Sequence, residues 1–429
     1  MEQSTLAIII LIAVIISYAT EIIPLAMTSI LGALLMALLG IIGYSDAFSG
    51  FGSDTVMLVI GMVIIGNAQF ETGLAQTLGE VIVEKVGNNE KLFLFVIMVL
   101  ASLFSGFMSN TATVAMLMPI IATAAQKSNG KITKKNTFMA LGFAAVAGGN
   151  ITLVGSTPQL VAQGILLESG IRGLEFFELA RGAVPIVIVI LIFFMTFGYS
   201  LQKRVFNFED KVDEKLGMKL EEVSRFDPVE YSKAKMFLSG GVLILCLIGF
   251  IINIWSIGTI ALLGAIILIC TKCISEKVAF QKMDWSAVVI LGGALGFSKG
   301  LEASGAGRLI ADTVLGWCGG ESASIILLFC AIVLVAVLLG NVMSHTATAA
   351  MMTPIAIYIA QGMNVDPITF VIGIVIGANL AFATPIGTTP ITLTLVAGYR
   401  FNDYVKVGGI VTILCYLTLI ALAPLLYGF

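Results

Sequence analysis

The chain has 429 residues, of which 58% are hydrophobic and only 11% are charged, and its net charge is −3. Soluble domains carry charge on about a quarter of their residues, so the composition excludes an ordinary soluble globule, and the acidic balance excludes nucleic-acid binding. The cysteines are scattered, and Cys270 and Cys273 form a lone pair without the second pair that a zinc site needs. We therefore predict an all-α polytopic protein of the cell membrane, embedded in the lipid bilayer.

Ten apolar segments approach the length of about 20 residues that crosses a bilayer. In chain order they are 6–19, 23–43, 54–70, 137–167, 182–201, 237–253, 256–274, 285–300, 368–397 and 405–428. Two longer apolar stretches, 91–126 and 322–360, are interrupted at their centres by small polar residues. The arms of the first are roughly 21–24 Å long, shorter than the hydrocarbon core of about 30 Å. Each stretch therefore predicts a re-entrant hairpin that returns to its own side.

The positive charges predict the orientation. If the charge-rich linker 202–235 is cytoplasmic and both hairpins return, 19 of the 23 Lys and Arg residues lie inside, as expected for a membrane protein. Both termini are then predicted outside. Segments 74–87 and 304–317 precede the two hairpins, and the first alternates like an interfacial amphipathic helix. A simple connector is the alternative for this pair.

The chain repeats itself after about 231–235 residues. Residues 108–120 match residues 343–355 at nine of thirteen positions, and Gly155-Ser156-Thr157-Pro158 corresponds to Gly387-Thr388-Thr389-Pro390. The predicted units are a first repeat at 1–201, the linker 202–235, and a second repeat at 236–429. Five crossings in each repeat make the second insert upside down relative to the first. Inverted repeats are typical of transporters with alternating access, and a static pore is the alternative.

Both hairpin centres carry a Ser-x-Thr sequence, Ser109-Asn110-Thr111 and Ser344-His345-Thr346. Irregular backbone at membrane depth requires surrounding protein or a water-filled cavity, so we expect the two tips to form one polar pocket. A helix broken by Gly, Thr and Pro follows each hairpin, at 148–158 and 379–390. Freed carbonyls there suit a small cation, and half-helix N-termini suit an anion. Ordinary kinks are the alternative.

The interiors of the predicted spans hold hardly an ionisable side chain besides His345, and no arginine is placed to clamp an anion. A proton pump usually needs a carboxylate relay near the midplane. An anionic substrate would instead rely on hydroxyls, amides and helix ends, with a co-bound cation compensating its charge. The pattern favours cation-coupled anion symport without a cofactor, and it contains no residue set typical of an enzyme.

The paired tips, each followed by a broken helix, resemble the divalent anion/sodium symporter family of the ion transporter superfamily, over nearly the whole chain. The resemblance implies a homodimer with elevator-type transport domains, sodium as coupling ion, and a C4-dicarboxylate, tricarboxylate or sulfate as substrate. The substrate-binding residues it implies are Ser109, Asn110, Thr111, Thr152, Ser344, His345, Thr346, Thr384 and Pro385. The cation-binding residues it implies are Ser105, Ser109, Asn110, Asn150, Gly155, Ser344 and Ala383.

Two positions depart from the family pattern. His345 stands where the family usually has Asn, and Gly340 corresponds to Ser105 without a side-chain oxygen; both changes weaken the second sodium cage. His345 is either a neutral hydrogen-bonding substitute for Asn or a titrating group that brings a proton in place of one sodium. A cation/proton antiporter or an oxyanion/arsenite permease of the same superfamily, and an anion channel, remain alternatives.

Overall fold

The computed structural model describes residues 2–20, 22–75, 77, 89–128, 130–208, 232–252, 254–307, 309, 324–385 and 387–428. All regular elements in these ranges are helices, which confirms the predicted all-α class. The helices before the linker are α1 (Gln3–Thr20), α2 (Leu25–Leu38), α3 (Tyr44–Ser49), α4 (Asp54–Glu71), α5 (Glu90–Ser105), α6 (Asn110–Lys127), α7 (Lys134–Gly148), α8 (Thr157–Glu168), α9 (Ala180–Phe193) and α10 (Tyr199–Val205).

The helices after the linker are α11 (Lys233–Ile252), α12 (Ile257–Cys270), α13 (Glu276–Gln281), α14 (Trp285–Ala303), α15 (Ile325–Gly340), α16 (His345–Gly362), α17 (Pro367–Asn379), α18 (Thr389–Thr394) and α19 (Phe401–Tyr427). Most of the predicted segments 74–87 and 304–317 and most of the linker 202–235 lie outside the described residues.

Each predicted crossing contains at least one helix. Five helical stretches of the described chain are long and apolar enough to span a membrane, at Tyr44–Glu71, Ala180–Val205, Lys233–Ile252, Trp285–Ala303 and Phe401–Tyr427. Shorter apolar helices accompany them. The chain is therefore a multi-pass membrane protein, as its composition predicts.

Both stretches with polar centres consist of two helices, α5–α6 and α15–α16. Their second helices begin in the same way, because the hydroxyls of Ser109 and Ser344 each accept a hydrogen bond of 3.2 Å from the N–H three residues later. Such caps satisfy N–H groups that have no partner inside the helix. The predicted crossings 137–167 and 368–397 are likewise each divided into two helices, α7–α8 and α17–α18.

The described helices form two groups by packing. One contains α1–α4, α11, α12 and α14, and the other contains α5–α10 and α15–α19. Between the groups the main contacts are those of α8 with α14 and α4, and of α1 with α16. In the second group, α7 and α17 are buried on all sides, whereas α11 in the first group exposes most of its apolar surface. The buried helices lead directly into the two breaks.

The first group contains the same close contact twice. A methyl group on Gly61 of α4 would lie 2.5 Å from the backbone of Ala261 in α12, and one on Gly293 of α14 would lie 2.7 Å from the backbone of Ser29 in α2. Gly293 lies 232 residues after Gly61, and Ala261 lies 232 residues after Ser29. Small residues allow such close approach between helices in membranes. The repeated sequence thus makes the same packing with its two halves exchanged.

Candidate functional site

A cavity of about 510 Å³ lies where both hairpin tips and both helix breaks meet. Its remaining wall comes from α4, from Leu25 at the start of α2, and from the beginning of α14 with the residues just before it. The volume is within the range of about 300–1,000 Å³ that is usual for small-molecule sites. It brings together segments that are far apart in the chain, at residues 107–112, 154–160, 344–346 and 387–390.

Four helices begin at this cavity. The first residues of α6, α8, α16 and α18 are Asn110, Thr157, His345 and Thr389, and all four line the wall. A helix N-terminus carries the equivalent of about half a positive charge. No side-chain hydrogen bond caps the described starts of α8 and α18, so their first N–H groups can donate to a bound group. The cavity is therefore suited to an anion.

Seven of the predicted site residues lie on the cavity wall, at Ser109, Asn110, Thr111, Gly155, Ser344, His345 and Thr346. Ser105, Asn150 and Thr152 lie behind the first tip. The Ser105 hydroxyl donates a hydrogen bond of 2.5 Å to Oδ1 of Asn110, and the Thr152 hydroxyl donates to the Gly106 carbonyl. These contacts hold the tip and the first break together, and the predicted binding roles of the residues stay predictions.

Ala383, Thr384 and Pro385 also lie off the wall. The N–H of Ala383 donates to Oδ1 of Asn341 at 3.1 Å, and the Thr384 hydroxyl donates to the Asn341 carbonyl at 2.7 Å. The Pro385 carbonyl accepts a hydrogen bond of 2.6 Å from the Thr392 hydroxyl. This part of the second break therefore closes onto α18 and onto the residue after α15. Direct binding roles here, too, remain predictions.

The first half gathers oxygen atoms behind the cavity wall. A methyl group on Gly155 would lie 2.7 Å from the Ser105 carbonyl oxygen and closer still to that of Gly149. A methyl group on Gly149 would in turn overlap Oδ1 of Asn110. Hard cations are bound by carbonyl and amide oxygens. The donor set of the first half thus fits a sodium ion.

The second half differs at the equivalent place. A methyl group on Gly387 would lie close to the Gly340 carbonyl oxygen, but its other near neighbour, at 2.7 Å, is Nε2 of His345. An imidazole nitrogen suits transition metals rather than a hard cation. Any side chain at position 340 would also place its Cβ only 2.6 Å from the Ala378 carbonyl oxygen. This donor set does not fit sodium.

A chain of hydrogen bonds determines the orientation and the tautomer of the His345 ring. Asn379 donates from Nδ2 to Oδ1 of Asn150 at 2.7 Å and to the Val375 carbonyl at 3.2 Å, so its Oδ1 faces Nδ1 of His345 at 3.1 Å. Nδ1 must then carry the hydrogen, and Nε2 offers a lone pair. The His345 side chain is 3% exposed, and Nε2 has no hydrogen-bond partner among the described residues.

Among the polar wall residues that the sequence prediction does not include are Lys282, Asn67 and Asp284. Lys282 is the cationic side chain of the described wall, and Asn67 and Asp284 lie beside it. The Lys282 ammonium is 2.5 Å from the carboxylate of Glu71, and Asn67 donates to the Lys282 carbonyl at 3.2 Å. The sequence signal that could have indicated them is the position of Lys282 and Asp284 directly before the crossing predicted at 285–300.

The loop between α8 and α9 forms a hydrogen bond to the first break. The N–H of Leu153 donates to the Phe176 carbonyl at 2.9 Å, and Arg172 pairs with the buried carboxylate of Glu178 at 2.8 Å. Burial alone would raise the pKa of Glu178, but hydrogen bonds from Arg172 and from the Glu175 N–H outweigh burial and hold that pKa below its usual value. The carboxylate therefore stays charged and keeps the loop closed.

Comparison with known proteins gives a consistent result. The family model CitMHS, described as citrate transporter, matches residues 9–357 and 247–429. A transporter of Haemophilus influenzae, named as uncharacterised, is 29% identical over 427 residues, covering 96% of this chain and 89% of the relative. The sodium-dependent dicarboxylate transporter SdcS of Staphylococcus aureus is 26% identical over 400 residues, covering 87% of this chain and 76% of SdcS.

Two solved structures share the fold. The YdaH transporter of Alcanivorax borkumensis aligns with a TM-score of 0.64 and 14% identity, over 90% of this chain and 88% of YdaH. MtrF of Neisseria gonorrhoeae, from a class of antimetabolite efflux pumps, aligns with a TM-score of 0.62 and 15% identity, over 99% of this chain and 94% of MtrF. At such identity the likeness shows the fold alone, and that fold is one used by membrane transporters.

Proposed function

The chain belongs to the citrate transporter family, and on that premise we propose that it is a secondary transporter that imports a small divalent anion together with sodium. The observation that carries the proposal is the convergence of both hairpin tips and both helix breaks on one cavity. The name of its relative SdcS, a sodium-dependent dicarboxylate transporter, supports both the substrate class and the coupling ion.

The proposed substrate is a C4-dicarboxylate or a tricarboxylate, with sulfate as the smaller alternative. Its carboxylates accept hydrogen bonds from the hydroxyls of Ser109, Thr111 and Thr346 and from first-turn N–H groups of the helices that begin at the cavity. Several such donors acting together offset the loss of water around the two charges.

Sodium is the proposed coupling ion because the first half supplies oxygen donors next to the anion cavity. The Ser105 and Gly149 carbonyl oxygens lie behind Gly155, which itself lines the cavity, and Oδ1 of Asn110 lies beside Gly149. A cation bound there lies close to the substrate's negative charge, so each ion strengthens the binding of the other. That reciprocity is the physical basis of symport.

Alternating access is the proposed mode of transport. The division of the helices into two groups that touch mainly through α8 and α1 supports an elevator, in which α5–α10 and α15–α19 move against the rest. The contacts repeated with the halves exchanged support the inverted repeat. Lys282 belongs to the predicted cytoplasmic side, so we interpret the cavity as open to the cytoplasm. A homodimer through the exposed apolar helices of the first group completes the proposal.

Uptake into proteoliposomes tests this function. Labelled succinate, citrate and sulfate are offered with sodium outside, with potassium replacing sodium, and with a pH gradient alone. We expect accumulation only with the sodium gradient, and exchange of internal unlabelled substrate for external labelled substrate. Accumulation driven by the pH gradient alone would favour proton-coupled anion symport, absence of anion uptake under every gradient would favour a cation/proton antiporter, and anion current without such exchange would favour a channel; each of these results contradicts the proposal.

A further inference from the structure

We infer that this chain binds one sodium ion per transport cycle, in its first half, and that His345 fills the corresponding position of the second half. The inference rests on the proposed sodium coupling and goes on to specify its stoichiometry. It follows from a comparison of two places that the sequence repeat makes equivalent, behind Gly155 and behind Gly387.

The two places share a framework. Each lies between the end of a hairpin's first helix and the glycine that precedes the second part of a broken helix. In the first half the two atoms nearest to a carbon added at Gly155 are the carbonyl oxygens of Gly149 and Ser105. In the second half the two nearest atoms to a carbon added at Gly387 are the Gly340 carbonyl oxygen and Nε2 of His345. The ring nitrogen of His345 thus stands in the second half where the first half has a second carbonyl oxygen.

Among the described residues, neighbouring side chains of the second half do not supply the oxygen ligands that are missing there. Oδ1 of Asn110 in the first half is oriented by the Ser105 hydroxyl at 2.5 Å. Position 340 has no hydroxyl, and the approach of the Ala378 carbonyl oxygen leaves no room for one without a backbone shift. Nε2 of His345 consequently stays without a hydrogen-bond partner among the described residues. The second half therefore lacks the oxygen set of the first.

The ring cannot turn away to vacate this position. Its Nδ1 faces Oδ1 of Asn379, whose amide is held in one orientation by Asn150 and by the Val375 carbonyl. Among the described residues of the first half, Asn110 is instead paired with Ser105 on its own hairpin. The hydrogen-bond chain that crosses between the halves thus keeps the imidazole at the position where the first half has carbonyl oxygens.

Direct counting of bound sodium tests the inference on the purified full-length protein. Equilibrium binding of radioactive sodium, at saturating succinate or citrate and constant ionic strength with choline, should give one ion per chain. The sodium dependence of thermal stabilisation should rise with a Hill slope of about one. Ser105→Ala should raise the half-saturating sodium concentration by about tenfold or more, as expected when a hydrogen bond that orients a ligand is lost.

Two further variants separate the halves. Ser102→Ala is the matched control, since its hydroxyl lies one turn earlier on α5 and donates to the Ala144 carbonyl at 3.0 Å; it should leave the sodium count and affinity unchanged. His345→Asn should leave the count at one. Two ions per chain in the unmodified protein, or a loss of sodium affinity in His345→Asn as large as in Ser105→Ala, would overturn the inference while leaving sodium coupling intact. Substrate binding with no bound sodium would instead refute the coupling itself. The count in the unmodified protein decides the matter even if a variant does not fold.

Discussion

Asn150 and Asn379 are 229 residues apart in the chain and share a hydrogen bond of 2.7 Å, from Nδ2 of Asn379 to Oδ1 of Asn150. Both side chains are 1% exposed. Asn379 ends α17, and Asn150 follows the end of α7, so the bond joins the two helix breaks directly. Because each break forms part of the cavity wall, this hydrogen bond links the two halves of the wall.

Replacing Asn379 by Leu should destabilise the protein and weaken transport. The change leaves Nδ1 of His345 without its acceptor and Oδ1 of Asn150 with only the 3.2 Å bond from Gln159. Each buried polar group that loses its partner costs about 1–3 kcal/mol. Thermal unfolding in detergent and the KM for uptake measure the two effects. Thr418→Val is the control, because this exposed hydroxyl bonds only to the Leu414 carbonyl of its own helix. An unchanged melting temperature in Asn379→Leu would contradict the prediction.

Removing the hydroxyls at the tips should weaken substrate binding. Ser109 and Ser344 both line the cavity and cap α6 and α16. Loss of a cap costs about 1 kcal/mol, and loss of a hydrogen bond to a charged carboxylate adds about 1.5–3 kcal/mol. We therefore expect KM to rise by about tenfold or more in Ser109→Ala and in Ser344→Ala. Ser275→Ala is the matched control, since Ser275 caps α13 in the same way and does not line the cavity. Equal KM values in tip and control variants would argue against hydroxyl contacts.

The Arg172–Glu178 pair should make stability depend on acid pH. Hydrogen bonds hold the pKa of Glu178 below its usual value of 4.5 against the opposing effect of burial. The folded protein then binds this proton less readily than the unfolded chain, so the pair stabilises the fold above about pH 4.5 and loses its effect as pH falls through the lowered pKa. Melting temperatures between pH 6 and pH 3 measure this loss.

In Glu178→Gln the melting temperature at pH 6 should be lower, and its decline towards pH 3 should be shallower. Glu175→Gln is the control, because that side chain is exposed and only its backbone N–H contacts Glu178. If Glu178→Gln and the unmodified protein lost stability equally on acidification, the pair would have no part in it.

The sequence predicts those features of the fold that depend on hydrophobic length and on repetition. Apolar runs and the doubled Ser-x-Thr segments are enough to locate the helices, the division of the long stretches, and the tip residues that the structure brings to the cavity. These features are local, because a helix needs only its own residues and a bilayer of known thickness.

Partners across the fold are not visible in the sequence. The second break spans residues 380–388, one residue longer than the first at 149–156, and its direction depends on hydrogen bonds to Asn341. Thr384 lies off the wall, like the corresponding Thr152 of the first break, whereas Ser156 and Thr157 line the wall together with the corresponding Thr388 and Thr389. The bond between Asn150 and Asn379 and the position of Lys282 at the cavity likewise require tertiary packing that no periodicity encodes.

Lys282 should attract the anionic substrate to the cavity. It is half-exposed on the wall and is held by Glu71 at 2.5 Å, and a charge at such a rim acts on the rate of encounter more than on the strength of binding. We expect Lys282→Gln to lower the uptake rate at subsaturating substrate by several-fold at low ionic strength, and Glu71→Gln to raise it. Screening shortens the reach of both charges to about 3 Å at 1 M salt, so the differences should disappear there. Lys277→Gln, an exposed lysine of α13 away from the cavity, controls for net charge. A defect in Lys282→Gln that persisted at high salt would show a direct contact with the substrate instead of steering.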